Sequence, residues 1–385
     1  MLDIVEEHFE ELDFLWELRE GVIFAPDWSV AELAELEERA EAHLDGLRLA
    51  EQHGVDVARP HLKGEFKSGA TAATFVLMET GEADLAQEVI DVLASAEPPA
   101  RDGIRIGLRY SRIDAIEAQL RALAQSAAPG VRAAAADVLA FHRRPIPDLK
   151  EVLLEDDDEI HAIVLGALGR VGQPLEVPVF EFGLRSASTA VRRAALEAAA
   201  RSGMPGLEGL SRAAATRPEA PDPEALAFLG VLGRPESLPI LLAALARPEL
   251  AAGAIRGLGS LGRVEAIPQL IDAMKNAATA RAAGAAFKRI TGAEDIAGPR
   301  PPVRLAAEDA IEDEFVDDTP PPNAETAMRW WQSKKTAFAV GMRWQGGAAA
   351  GAGISLESRR DHSLISGHAS GAIDCEARVV TPRKR

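Results

Sequence analysis

Two stretches of the chain say nearly the same thing, twenty-nine residues apart: LGVLGRPESLPILL from Leu229 and LGSLGRVEAIPQLI from Leu258. A fixed period constrains folding more tightly than composition does. A unit too short to bury its own apolar face must bury it against its copies. Related lines begin at Leu165 (LGALGRVGQPLEVPVF) and Leu196 (LEAAARSGMPGLEGL), with weaker ones at Val138, Ile106 and Thr74. A period near thirty residues holds two short helices and two turns. The expected fold is therefore all-α: an α-solenoid of stacked helical hairpins over residues 69–292. Reactive side chains do not recur between copies, which share only Leu, Gly, Arg, Glu and Pro, so the repetition is architectural.

Each copy carries the same local physics. A helix rich in small residues, such as ELAAGAIRGLGSLG, can approach its neighbours closely. A glycine (Gly169, Gly233, Gly262) is expected after the last turn, where left-handed geometry is cheap without a Cβ. Proline or a polar pair then opens the next helix, whose first N–H groups have no helical partner. No alternating apolar and polar run of strand length lies between the turns. Aromatics are only 5% of the chain, so the core must be built from small and aliphatic side chains.

The flanks differ from the repeats. Leu12, Leu15 and Trp16 give residues 3–20 a helical period. Ser29 and Glu32 form a capping box ahead of a second helix reaching about Glu51, with Leu33, Leu36, Ala40, Leu44 and Leu47 on one face. QHGVDVARPHLKGEF reads as a loop. Residues 1–68 are thus an N-terminal helical cap, which an array needs over its first open face. AFKRITG closes the array at Gly292. Residues 293–323 read as an acidic, Pro-rich linker containing Glu308, Asp309, Glu312, Asp313, Glu314, Asp317 and Asp318. Residues 324–344 read as a helical segment, with its helix over Glu325–Lys335. Residues 345–385 have no helical or strand period and are expected to be disordered.

Charge and cysteine content narrow the function classes. The formal charge is −18. Residues 341–385 carry seven Arg/Lys against four Asp/Glu, leaving −21 on the rest. That argues against nucleic-acid binding, which draws its affinity from Lys and Arg. Cys375 is the single cysteine, so neither an intramolecular disulfide nor a thiolate cluster is available. The N-terminal MLDIVEEHFEELDF lacks the order of a signal peptide. No apolar run is long enough for a bilayer, so no membrane association and a cytoplasmic location are expected.

The eight histidines (His8, His43, His53, His61, His142, His161, His362, His368) include no H-x-x-x-H or H-E-x-x-H pair, and no phosphate-loop or nucleophile-elbow sequence occurs. His43, near Asp45, reads as a helical histidine bonded to a neighbour. The acidic run Glu155–Glu159 reads as a solvated loop that favours the N-terminus of the next helix. No catalytic residue, cofactor or metal is expected.

Two groups of residues could meet a partner. Arg112, Arg143, Arg170, Arg201, Arg234 and Arg263 are spaced 31, 27, 31, 33 and 29 residues apart and are assigned to corresponding turns. Either they satisfy helix carbonyls and nearby acids, as Arg234 with Glu236 or Arg263 with Glu265, or they form a stripe for an acidic partner. Trp330 and Trp331 point about 100° apart on a helix. Both could dock their segment onto the array, or one could face a partner, since Trp is enriched at binding hot spots.

LGRPESLPILLAAL and FKRITG make residues 69–292 resemble HEAT-like repeats of the phycobilisome-lyase type. Adding ERAEAHLDGLRLA, the acidic linker, RWWQ and GMRW, residues 1–344 resemble an uncharacterised bacterial HEAT-repeat family often encoded near type VI secretion genes. Stacked helical pairs give an extended surface of the kind that holds other proteins, so a non-catalytic scaffold or adaptor is expected. The likeness implies a secreted effector or a secretion component as its partner. The repeat type also recurs in bilin lyases, which implies an alternative: a lyase or chaperone for a tetrapyrrole-bearing protein. HEAT-like glycosylases bind DNA lesions, but the acidic body opposes that role. HEAT-like di-iron proteins use His-Glu dipeptides, and there are none here. In the family the chain continues past GMRW into another helical segment rich in Arg, Gln and Ala. Here the likeness stops at Trp344, and a reading-frame slip in the gene is one explanation.

Overall fold

The computed structural model describes residues 2–23, 28, 30–125, 128–172, 174–299, 320–350, 354–355 and 379–380. Its described residues are dominated by eighteen α-helices, and the fold is all-α. None of these helices is long and apolar enough to cross a membrane. The chain divides into two compact units, one reaching Leu207 and the other beginning at Glu208.

In the first unit α1 (Leu2–Val22) and α2 (Val30–Leu49) pack on each other, followed by α3 (Gln52–Ala58) and a 3-10 turn at Arg59–Lys63. Then come α4 (Lys67–Glu79), α5 (Ala83–Leu93), α6 (Pro98–Tyr110), α7 (Glu117–Leu123), α8 (Pro129–Phe141), α9 (Asp158–Val171), α10 (Val177–Arg185) and α11 (Thr189–Arg201). One row forms by successive packing of α4 on α6, α6 on α8, α8 on α9 and α9 on α11. The shorter α5, α7 and α10 lean against that row. Leu12, Leu15 and Trp16 of α1 are fully buried, and α1 packs on α4, the first helix of the row.

The second unit repeats the plan. It contains α12 (Leu207–Ala215), α13 (Pro223–Val231), α14 (Ser237–Leu245), α15 (Pro248–Leu261), α16 (Ile267–Ala273), α17 (Ala280–Thr291) and α18 (Ala324–Lys334). Here the row runs α13 to α15 to α17, with α14 against α13 and α15, and α16 against α17. Within each unit, then, hairpins lie side by side in chain order.

Small residues make the rows possible. A Cβ on Gly230 would meet the Gly257 carbonyl oxygen at 1.9 Å, and one on Gly103 would meet the Lys67 oxygen at 2.3 Å. These helices touch backbone to backbone, which excludes any side chain at the contact. Buried Thr71 adds a cross-row bond, its hydroxyl donating to the Gly103 carbonyl at 3.1 Å.

The period itself is set by left-handed residues. Arg143, Gly172, Gly203, Gly233, Gly262 and Gly292 all have positive φ and follow one another at intervals of 29 to 31 residues. This corrects one expectation: Gly172, not Gly169, ends α9. Gly169 lies inside that helix, where its Cβ would come 2.7 Å from the Ala198 Cα.

Three other expectations change. Residues 52–63 are helical rather than a loop. Gly54 permits this, because a Cβ there would strike the Leu47 oxygen at 2.3 Å. The supposed linker is ordered at both ends: Gly298 N–H donates to the Pro321 carbonyl (2.7 Å) and Asn323 N–H to that of Ile296 (2.8 Å). Its acidic run, Glu308–Asp318, lies outside the described residues, as does Ser29 of the capping box. Finally, residues 345–350 are not disordered. β1 (Arg343–Gln345) pairs antiparallel with β2 (Ala348–Ala350), although no strand period marks them. The reason is backbone bonding: Trp344 N–H donates to the Gly262 carbonyl, Gly346 to Arg289 and Gly347 to Ile290. Those last two acceptors are terminal carbonyls of α17 that lack a helical donor. Beyond them, β3 (Ile354–Ser355) pairs with β4 (Val379–Val380), and the rest of the tail lies outside the described residues.

The close contacts predict an asymmetric response to adding one methyl group. Gly230→Ala should destabilise by about 1–3 kcal/mol through overpacking. Gly209→Ala, at an exposed position of α12 with nothing within 4 Å, should stabilise by about 1 kcal/mol through helix propensity. Chemical denaturation of the two variants distinguishes these outcomes. Equal effects would show that the rows are not in backbone contact.

Candidate functional site

The most concentrated chemistry in the first unit is a buried carboxylate outside every repeated motif of the sequence. Asp137 sits in the middle of α8 at 0% exposure. Its Oδ2 accepts from Arg105 Nη1 at 2.9 Å and Arg109 Nε at 2.8 Å, both from α6. Its Oδ1 accepts from Arg170 Nη1 of α9 at 2.7 Å. Arg105 also reaches Asp102 at 3.4 Å. Three consecutive helices of the row are therefore tied through one side chain.

The electrostatics follow from the packing. Burial alone would raise the Asp137 pKa, but Arg109, Arg170 and Arg105 outweigh it and hold the carboxyl far below its usual range. Arg109 is pushed down to about 10, chiefly by burial, with Asp137 opposing and Arg170 and Arg105 adding repulsion. For Arg105 burial also acts downward, yet Asp137 and Asp102 overcome it and the pKa is raised. Glu159 is raised by burial and then by Asp102. Neither Asp137 nor Arg109 titrates near neutrality, where a general acid or base works best. The cluster is suited to holding helices in register.

Aromatic rings extend it. Arg109 and Arg170 lie over the Phe141 ring at 5.9 and 5.8 Å. Phe141 meets Tyr110 edge to face, and Tyr110 meets Trp16. Arg19 lies over Trp16 and Tyr110 and forms a buried ion pair with Glu37 of α2. In the second unit the same device appears once more: Arg256 of α15 forks onto the nearly buried Glu224 of α13.

The arginine series does not occupy one structural position. Arg170 and Arg201 lie inside the last turns of α9 and α11, two residues before the left-handed glycine. Arg234 and Arg263 lie one residue after it, and Arg143 itself takes the left-handed conformation. Matching on L-G-R thus slips by up to three residues between copies. The contacts differ accordingly. Arg170 is held by Asp137, and Arg143 donates to the Arg170 carbonyl at 3.5 Å. Arg234 pairs with Glu208 at 3.4 Å, not with Glu236. Glu265 accepts from the Gly341 N–H instead of meeting Arg263, whose backbone bridges to Arg343. Arg112 is exposed after α6 and Arg201 is half-buried.

Trp330 and Trp331 share a different setting. Trp330 meets Phe287 of α17 edge to face at 5.8 Å. Both tryptophans meet Phe338, at 6.3 and 5.4 Å, and Phe338 in turn meets Trp344 at 4.7 Å. The Trp344 indole donates to the Ala339 carbonyl at 3.1 Å. Trp330, Trp331, Phe338 and Trp344 are all half-buried, so neither tryptophan of the pair is sealed in the core. In the same stretch of chain Met328, Val340 and Met342 are exposed, Val340 at 75%.

Four of the described histidines serve local structure. His43 Nδ1 lies 3.1 Å from His8 Nδ1, joining α2 to α1, while Asp45 pairs with Arg48. Burial, then His8, lowers the His43 pKa. His142 and His161 donate to the carbonyls of Leu108 and Glu155. In the acidic run, Asp157 accepts from the N–H groups of Glu159 and Ile160 and so caps α9. Among the described residues no three His, Cys, Asp or Glu side chains are grouped to hold a metal ion. Comparison with protein-family models finds no match, and comparison with curated proteins finds none either.

Two measurements follow. Asp137→Ala leaves three guanidiniums around an empty carboxylate position and should cost about 3–5 kcal/mol in a denaturation experiment. Asp45→Ala, at a surface pair, should cost at most about 1 kcal/mol. A similar cost for both would remove the special role of Asp137. The His8–His43 contact should be acid-sensitive. A folded-state pKa below the unfolded value near 6.5 gives stability that is full above that value and lost as pH falls through the folded one. Hydrogen exchange of α1 and α2, corrected for intrinsic rates, should therefore quicken between pH 7 and pH 5. His43→Gln should abolish that step, and an unchanged step in the variant would contradict the assignment.

Proposed function

We propose that this chain is a non-catalytic binding scaffold. The observation that carries the reading is the half-buried aromatic group Trp330, Trp331, Phe338 and Trp344, with Met328, Val340 and Met342 exposed in the same stretch of chain. Contiguous apolar surface costs free energy in water, and where it persists on a folded protein it marks a contact site. Tryptophan at such a site offers large area at low entropic cost, which suits a hot spot. The ion pair of buried Glu224 with Arg256 supports the same reading, because it ties α13 to α15 within the unit that carries this group. The resemblance to HEAT-like repeats near type VI secretion genes points to a secretion component or secreted effector as the partner. In this reading Arg170 is structural, and Trp331 rather than the arginine series makes the contact.

A photo-crosslinking amino acid placed at position 331 or 340, in the full chain expressed in its source cell, tests this. A discrete crosslinked protein is expected from those positions and not from the exposed Leu49 of the first unit. Equal labelling from all three positions, or none from 331 and 340, would overturn the scaffold reading at this surface.

A further inference from the structure

The segment that carries these aromatics is charged opposite to the chain as a whole, and the Glu265 carboxylate reaches it from outside, at the Gly341 N–H. Residues 324–344 carry four cations and a single acid, Glu325, in a chain of net charge −18. Five cations elsewhere in the second unit are neutralised, Arg212 and Arg234 by Glu208, Arg247 by Glu249, Arg256 by Glu224 and Lys275 by Asp272, whereas Arg217 and Arg263 meet no carboxylate among the described residues. Lys334 and Lys335, at the end of α18, are exposed and meet no carboxylate among the described residues. The same holds for Arg329, whose guanidinium bonds only Thr326, and for Lys288, next to Phe287 in the last turn of α17. Aromatic side chains flanked by uncompensated lysines discriminate strongly between ligands. A neutral apolar peptide gains nothing from the cations, and a basic one is repelled.

We infer that this surface takes an acidic peptide segment in which Asp and Glu alternate with large apolar side chains. The inference rests on the scaffold reading and names the chemistry of its partner. The apolar residues cover Trp331, Phe338 and Met342, and the carboxylates meet Lys288, Lys334 and Lys335. Acids of this chain more than a Debye length away, about 8 Å at physiological salt, are screened and do not cancel the local attraction. The chain's own acidic run, Glu308–Asp318, has the same chemistry, with Ile311, Phe315 and Val316 among its acids, and its flanking residues meet beside α17 at the Ala297–Pro322 bridge.

The test is anisotropy titration of the full chain with a labelled synthetic twelve-residue peptide alternating Glu or Asp with Phe or Leu. Two control peptides replace the acids by Lys or the apolar residues by Ser. The acidic apolar peptide should bind, at least tenfold more tightly than either control. Its affinity should fall at least tenfold in the Lys288→Glu, Lys334→Glu, Lys335→Glu triple variant, checked by circular dichroism to be folded, and also in 0.5 M NaCl. A second variant with the seven acids of 308–318 neutralised is titrated in parallel. Binding there alone supports the assigned chemistry and identifies the run as a competitor. No binding to either form, equal binding of the lysine peptide, or indifference to the triple reversal would overturn the inference. Crosslinks from positions 331 and 340 together with failed peptide binding would refute only the partner's chemistry and leave the scaffold intact.

Discussion

Backbone contact between successive helices is the constraint on which the rest depends. At Gly230 and Gly257, and again at Gly103 and Lys67, there is no room for a Cβ. Such contact requires small residues at fixed places, and this accounts for the alanine or glycine of every row helix. It also removes the large interlocking side chains that normally fix one helix against the next. A row built from small residues could slide along itself at low cost. What opposes sliding is directional bonding across the row: Thr71 to Gly103, Arg105, Arg109 and Arg170 to Asp137, and Arg256 to Glu224. Burying those charges costs free energy that an apolar core would not incur. They act here as registration marks, each satisfied only at one offset between helices.

Much of the helical plan was legible in the sequence because it depends on period. The apolar spacing of Leu12, Leu15 and Trp16, the repeated LGxLGR lines and the Trp330 helix all appear as helices within a few residues of their expected bounds. The errors have physical causes. QHGVDVARPHLKGEF looks like a loop because Gly and Pro usually break helices, yet Gly54 is there to pass close to the Leu47 carbonyl. The L-G-R match placed six arginines in one column, but the structural period follows the left-handed residue. Gly172 and Gly203 stand two residues beyond Arg170 and Arg201, whereas Gly233 and Gly262 precede Arg234 and Arg263. The hairpin at 343–350 has no side-chain pattern to read, because its order comes from donating to helix-end carbonyls.

The candidate site was half legible. Trp330 and Trp331 stand out in any reading, but Phe338 and Trp344, which complete the aromatic group, lie in a stretch without period. Asp137 did leave a signal. A lone acid within AAAADVLA, facing two arginines spaced four apart in GIRIGLRY, is too costly to bury unless it is paired. Isolated charge inside a small-residue helix is thus a better guide to this core than the recurring arginine of the turns. The two clusters divide the work. The buried one gives the rows a single register, and the aromatic one offers apolar area where the second unit ends.

The central claim is that neighbouring row helices meet at their backbones. The most direct measurement is a nuclear Overhauser experiment on protein labelled with 13C only at glycine. The Gly257 Cα lies 2.6 Å from the point a Gly230 Cβ would occupy, so the Hα protons of the two residues should give a strong cross-peak. A spectrum in which both glycines are assigned and helical, yet no cross-peak joins them, would contradict the claim.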